Sequence, residues 1–348
     1  MSRLLACLVS ASSATALLAS ACASAPPPRS EPRADETVAA PPSVSAEAPP
    51  ATSAVGSAAP SASAAPVASS APHDEGPKAC PAGMVLVDGD YCTDLEVKCL
   101  KSHFAKQNKK TVCEEFAEPT KCVGKKIKKR YCIDQYEYPN KKGENPEVMN
   151  DFPHAQEKCA AEGKRVCTES EWTMACEGPS YKPYPYGYRR DPEVCRGDRP
   201  YRFPSKMDNG VLLTHSKDKA KAEAELKRLW DALPSGSQPG CVSDYGVFDM
   251  PGNADELAAS EGRTDEYSTM KMPDGHTEVL RAADKYDNVT TGGPWVEGVR
   301  NQCRPKIYTH NEGFSYYYLS FRCCAEPDGK PTDPRAPRQM KRGEKWRH

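Results

Sequence analysis

The sequence predicts an α+β chain with much irregular structure, cross-linked by disulfides rather than held by long regular elements. Three observations carry this expectation. The 348 residues include 16 Cys and 33 Pro, the periodic segments are short and punctuated by Gly and Pro, and the chain opens on an export leader. So many thiols would be unexplained in a reducing compartment, whereas in an exported protein they read as a disulfide framework. The 47 basic side chains are balanced by 48 acidic ones, so no global charge field marks a nucleic-acid binder and no nucleic acid is expected as a partner.

Met1-Ser2-Arg3 supplies one positive charge, and Leu4 to Ala21 is an uncharged run of small and apolar residues that ends at Cys22. This is a secretory signal pattern, too rich in Ser and Ala for a spanning helix. Leu18-Ala19-Ser20-Ala21 before Cys22 is close to a bacterial lipobox, with Ala19 where Leu is usual. Residues 1–22 are accordingly assigned to signal and lipobox, with Cys22 as the lipidated residue that joins the chain to a membrane. The expected location is the bacterial cell envelope, on the outer-membrane or periplasmic side; a plain cut after Ala23-Ser24-Ala25 would give a secreted protein instead. Removing Cys7 and committing Cys22 leaves 14 cysteines, an even number that can all pair. Residues 23–78 are mostly Ala, Pro and Ser, cannot bury enough apolar surface to offset ordering, and are assigned to a disordered tether.

The folded domain is placed at 79–328, followed by a basic tail, 329–348, with seven Lys/Arg against two Asp/Glu. Met84 to Val87 reads as a strand that ends in a turn at Gly89-Asp90. Pro153 to Gly163 reads as a helix, with Pro at its start and Gly as its stop. Thr168-Glu169-Ser170-Glu171 is a capping box opening a second helix through Trp172 and Cys176, closed by Gly178. Lys217 to Leu233 spaces Leu226, Leu229, Trp230 and Leu233 on one face of an amphipathic third helix, closed by Pro234. Short strands and turns follow, such as Tyr316 to Cys323.

Tyr91-Cys92-Thr93-Asp94-Leu95-Glu96 and Tyr131-Cys132-Ile133-Asp134-Gln135-Tyr136-Glu137 resemble each other over a stretch too short for a repeat architecture. Between them lies a Lys/Cys-rich insert, 98–130, in which six of the ten residues Lys121 to Arg130 are basic. It reads as a solvated hairpin stapled by disulfides, with docking of an acidic partner as the functional alternative. The six cysteines from Cys80 to Cys132 allow 15 pairings, and the sequence does not choose among them. Tyr181, Tyr184, Tyr186 and Tyr188, and Tyr316 to Tyr318, read as packing before they read as a surface for peptide or sugar. Glycine-rich phosphate loops, HExxH and nucleophile-elbow motifs are absent, and zinc on Cys159, Cys167 and Cys176 is disfavoured by their spacing and by export.

Four segments in order resemble the sulfatase-modifying factor family. They are Gly163 to Trp172 with Pro185-Tyr186-Gly187; Tyr245 to Asn253; Gly292-Gly293-Pro294-Trp295; and Ser320-Phe321-Arg322-Cys323-Cys324. Tyr136-Glu137-Tyr138-Pro139-Asn140 and Ala155 to Cys159 fit the same order. The resemblance implies an irregular, C-type-lectin-like α+β fold. It also implies, for an active member of the formylglycine-generating type, oxidation of a sulfatase cysteine with oxygen and a copper(I) ion on two thiolates. Here Glu297 stands where the first of those cysteines is expected, and Cys303 is the one cysteine that follows Trp295 before Cys323.

By the same resemblance Cys159 pairs with Cys323 and Cys176 with Cys303; Cys167 and Cys324 lie beside those pairs and are read as a third bridge. Cys195 is assigned to Cys241. The resemblance further implies a calcium site on Asp249, Gly252, Ala254 and Glu256, an all-oxygen set of the kind hard Ca²⁺ accepts. Beside it the family's Trp-Glu-Trp is replaced by Asp255-Glu256-Leu257. The expected function is a tethered, extracytoplasmic, non-catalytic binding or scaffold module, with an envelope protein or peptide as ligand. The alternative is a formylglycine-generating-type oxidase using copper and Cys303.

Overall fold

A computed structural model describes residues 79–106, 110–261, 269–275, 277–278, 286–296, 298 and 300–335. The chain divides into two units, 1–69 and 70–348, and every described residue belongs to the second. Cys7, Cys22, the tether, Glu297 and the tail beyond 335 lie outside the described residues.

The elements in order are β1 (Met84–Cys92), β2 (Leu95–Ala105), β3 (Lys110–Phe116), β4 (Lys121–Cys122), β5 (Lys126–Asp134), α1 (Phe152–Ala161), β6 (Arg165–Val166), α2 (Glu169–Glu177), α3 (Lys219–Leu229), β7 (Asp255–Ala259), β8 (Thr269–Lys271), β9 (Thr277–Glu278), β10 (Asn288–Thr291), β11 (Lys306–Ile307), β12 (Leu319–Phe321) and β13 (Cys323–Ala325). They form three sheets, ordered β1-β5-β13-β6, β11-β10-β7-β12 and β3-β2-β8-β9, with β4 paired to β2. The result is an α+β fold of short elements and long irregular connections.

The expected turn at Gly89-Asp90 is not formed. β1 runs antiparallel to β5 without interruption from Met84↔Asp134 to Cys92↔Lys126. Gly89 serves close packing instead, since a Cβ there would meet Tyr245 Oη at 2.8 Å and Met174 Cε at 3.0 Å. The first helix starts on the Asp151 cap, whose side chain accepts from the His154 amide at 3.0 Å. In α2 both halves of the capping box are present, with Thr168 as N-cap and Glu171 reaching back to it.

The third helix ends four residues before its expected close. Trp230 turns extended at φ −61°, ψ 132°, and Arg202 caps the end by donating to the carbonyls of Arg228 and Trp230, both at 3.1 Å. Tyr316 to Tyr318 lie ahead of the strands rather than in them. The stretch to Ala325 is two strands: β12 pairs parallel with β7, β13 pairs with β5 and β6, and the chain changes sheets at Arg322.

The insert contributes more than a hairpin. β2 and β3 pair antiparallel, β2 also takes β4 and β8, and this third sheet has its own core of Leu95, Val97, Cys99, Phe116, Tyr184 and Met272. The main core gathers Val87, Tyr131, Ile133, Trp172, Val247 and Met250 beneath the first sheet. Seven disulfides close the domain: Cys80–Cys132, Cys92–Cys122, Cys99–Cys113, Cys159–Cys323, Cys167–Cys324, Cys176–Cys303 and Cys195–Cys241.

Candidate functional site

The second sheet and the turn leading into it hold the residues singled out for metal binding. The turn is sharply bent: Asp249 has φ 60°, Gly252 φ 93° and Asn253 φ 53°. Gly252 is required there twice over, because its φ lies in the left-handed region and a Cβ would sit 2.7 Å from the Arg196 carbonyl. β7 then enters the interior with all five residues buried.

This path brings three carboxylates into one buried neighbourhood. Glu256, fully buried, receives both arms of Arg322 at 2.6 and 2.7 Å and the Trp172 indole N–H at 2.8 Å. Glu137, also fully buried, accepts from Ser235 Oγ at 2.8 Å, Asn253 Nδ2 at 2.8 Å and the Ala254 amide at 2.9 Å. The Asp249 carboxylate accepts from the Gly236 amide at 2.6 Å. Burial, reinforced by the Asp249 and Glu256 charges, holds Glu137 well above the usual carboxylate range, and burial pushes Asp249 up to about 6. Three acids share the cation Arg322, and burial with their mutual repulsion favours the protonated form of Glu137 and Asp249.

The donor chemistry, oxygen atoms beside a tight turn, is of the class that calcium accepts. Asp249 keeps one carboxylate oxygen outside its hydrogen bond to Gly236, and Glu256 Oε1 accepts only from Arg322, leaving a lone pair. With the Gly252 and Ala254 carbonyls this is a set a hard cation accepts. Among the described residues no cluster of three or more His, Cys, Asp or Glu could hold a metal by itself, so backbone oxygens would have to complete the shell.

The cysteine on which the alternative copper reading rests is not free. Cys303 is bonded to Cys176 and fully buried, so its sulfur is no thiolate. Asp255, at the first Trp position of the family's Trp-Glu-Trp, is held by Arg300 at 2.8 and 3.3 Å and by the Gly293 amide at 3.2 Å. An ion pair therefore occupies a place where the family packs an aromatic ring. Sequence reasoning missed Arg300, Arg322 and Glu137 as members of this region. Glu137 and Arg322 both sat inside recognised segments, but their pairing joins residues 66 to 117 positions away, which no local pattern reveals.

The Tyr-rich stretches divide by role. Tyr184 is buried, stacked on Tyr186 at 5.4 Å and edge-on to Phe116 at 6.0 Å, while Tyr186 and Tyr188 wall an open cleft of about 680 Å³ with Lys182, Arg189, Arg190 and Glu118. Tyr317 and Tyr318 pack around Trp295 at 5.9 and 6.1 Å.

No curated protein matches the chain. Among solved structures it is similar to PvdO from Pseudomonas aeruginosa, at 15% identity over 70% of this chain and 94% of that one, with a TM-score of 0.36. CarF gives 13% identity, 71% and 99% coverage and a TM-score of 0.38; Treponema denticola variable protein 1 gives 14%, 69%, 99% and 0.33. Residues 98–327 match the model of the sulfatase-modifying factor enzyme 1-like domain, about two thirds of the chain, and the protein therefore belongs to the sulfatase-modifying factor family.

Proposed function

We propose that this chain is a non-catalytic member of its family, a disulfide-locked binding or scaffold module working outside the cytoplasm. One observation carries the reading: the described cysteines are all bonded, Cys303 to Cys176 among them, and a cuprous ion needs free thiolates. Seven disulfides agree with an oxidising, extracytoplasmic location. We further propose calcium on Asp249, Glu256 and the Gly252 and Ala254 carbonyls as a structural ion, and Cys22 as a lipid anchor that holds the module at a membrane. The 680 Å³ cleft beside Tyr186 and Tyr188 is the surface offered to a protein or peptide ligand.

Peptide mapping of the protein digested without reduction is the test. The expected result is a Cys176–Cys303 crosslinked peptide in full yield and no copper retained on dialysis against a copper(I) buffer. Recovery of Cys303 as a free thiol, with one equivalent of copper(I) bound and oxygen-dependent conversion of a sulfatase peptide, would establish the oxidase instead.

A further inference from the structure

Residues 98–130 carry eleven Lys and Arg against three Glu, a net of +8 in a chain whose total is −1. The structure turns that composition into a surface. On the outward face of β2, Lys98 and Leu100 alternate with the buried Val97 and Cys99. Register places Lys121 of β4 opposite Glu96, and Lys271 of β8 opposite Lys98, so these cations share that face. Glu96 is matched by Lys271 at 3.6 Å. Lys98, Lys121, Lys125 and Lys126 are exposed and meet no carboxylate among the described residues.

Apolar side chains stand exposed on the elements that carry these cations. Leu100 is 48% exposed, Phe104 59% and Val123 56%, three of the five large exposed hydrophobics of the described chain. Val123 occupies the turn after β4, where its amide bonds the Asp94 carbonyl at 3.0 Å; the Cys92–Cys122 and Cys99–Cys113 bridges fix the scaffold beneath. A merely solvated face gains nothing from Leu, Phe and Val, and an acidic protein would be met by Lys alone. Lysines on long stems accompanied by apolar tips instead suit an interface where headgroup charge and acyl chains lie side by side.

We infer that this face, centred on Lys98, Leu100, Lys121 and Val123, seats the domain on an anionic lipid surface. This contact is additional to any acyl anchor at Cys22 and independent of whether the domain is catalytic.

The test is cosedimentation of the full chain carrying Cys22→Ser, so that no acyl chain contributes, with phosphatidylcholine vesicles with and without phosphatidylglycerol. Binding is expected only with the anionic lipid and should weaken as salt rises. Lys98→Glu with Lys121→Glu should weaken it at least about 25-fold, from roughly fivefold per lysine. Leu100→Ser with Val123→Ser should weaken it severalfold at unchanged charge, while Phe203→Ser, exposed elsewhere, should leave it unaltered. These side chains are at the surface, so an unchanged melting temperature verifies the fold of each variant. Failure to bind anionic vesicles at low salt would overturn the inference. So would indifference to the Leu100/Val123 change together with complete competition by heparin or polyglutamate, which would assign the face to a soluble polyanion.

Discussion

Arg322 is the residue on which the interior turns. It is fully buried, pairs with Glu256, and donates to the carbonyls of Asp134 and Phe248 at 3.3 and 3.2 Å, so it ties both main sheets to the Asp249 turn. Replacing it with Met should destabilise the fold by about 3–5 kcal/mol, since Glu256 would stay buried without its partner; urea denaturation measures this. The acids around it predict a pH dependence of definite sign. Asp249, raised from 3.8 to about 6, binds more protons folded than unfolded, so its contribution to stability is full below about pH 4 and is lost as pH rises through 6. Glu171, lowered from 4.5 to about 2 by Arg165 against the opposing effect of burial, acts in reverse: its contribution is present above 4.5 and lost as pH falls through 2. Melting temperatures across pH 4–7 without calcium should therefore carry the falling Asp249 component, and saturating calcium should abolish it by favouring the ionised form. If calcium left both the melting temperature and its pH slope unchanged, the calcium assignment would be wrong.

At the scale of elements, the helix starts follow local chemistry. Thr168 and Glu171 satisfy one another's amides at 3.3 and 2.9 Å, and Glu171 also takes both arms of Arg165 at 2.6 Å. Thr168→Ala should cost about 1 kcal/mol, whereas Glu171→Ala should cost several times more because Arg165 is buried; thermal melts of the two variants side by side distinguish capping from pairing. Element ends proved less local. The third helix stops at Leu229 because Arg202, 26 residues away from Arg228, takes its terminal carbonyls, although Leu233 and Pro234 mark a later stop on periodicity. The β1 strand continues through Gly89 because β5 supplies a partner at every position.

For the molecule as a whole, covalent closure takes over work that regular structure does in most folds. Cys159–Cys323 and Cys167–Cys324 span 164 and 157 residues and clamp β13 to α1 and to the chain entering α2. In the chain-entropy description a loop of this length is worth about 5 kcal/mol, so replacing Cys159 and Cys323 together with Ala should lower denaturation midpoints more than replacing Cys99 and Cys113, which close 14 residues. Between the bridges run buried ion pairs, including Arg304 with Glu177 at 2.9 Å and Lys164 with Asp134 at 2.9 Å.

By itself the sequence determined the low-complexity composition of residues 23–78, the family motifs in their order, the first two helices and the even cysteine count. These are properties of composition and of contacts within a few residues, and so are readable along the chain. Only the tertiary structure decided that Gly89 lies within a strand, that the chain changes sheets at Arg322, that Asp255 closes on Arg300, and which of the 15 pairings the six early cysteines adopt: Cys80–Cys132, Cys92–Cys122 and Cys99–Cys113. Each of these depends on partners brought together from distant positions, and the free energy of such contacts has no expression in the local pattern of residues.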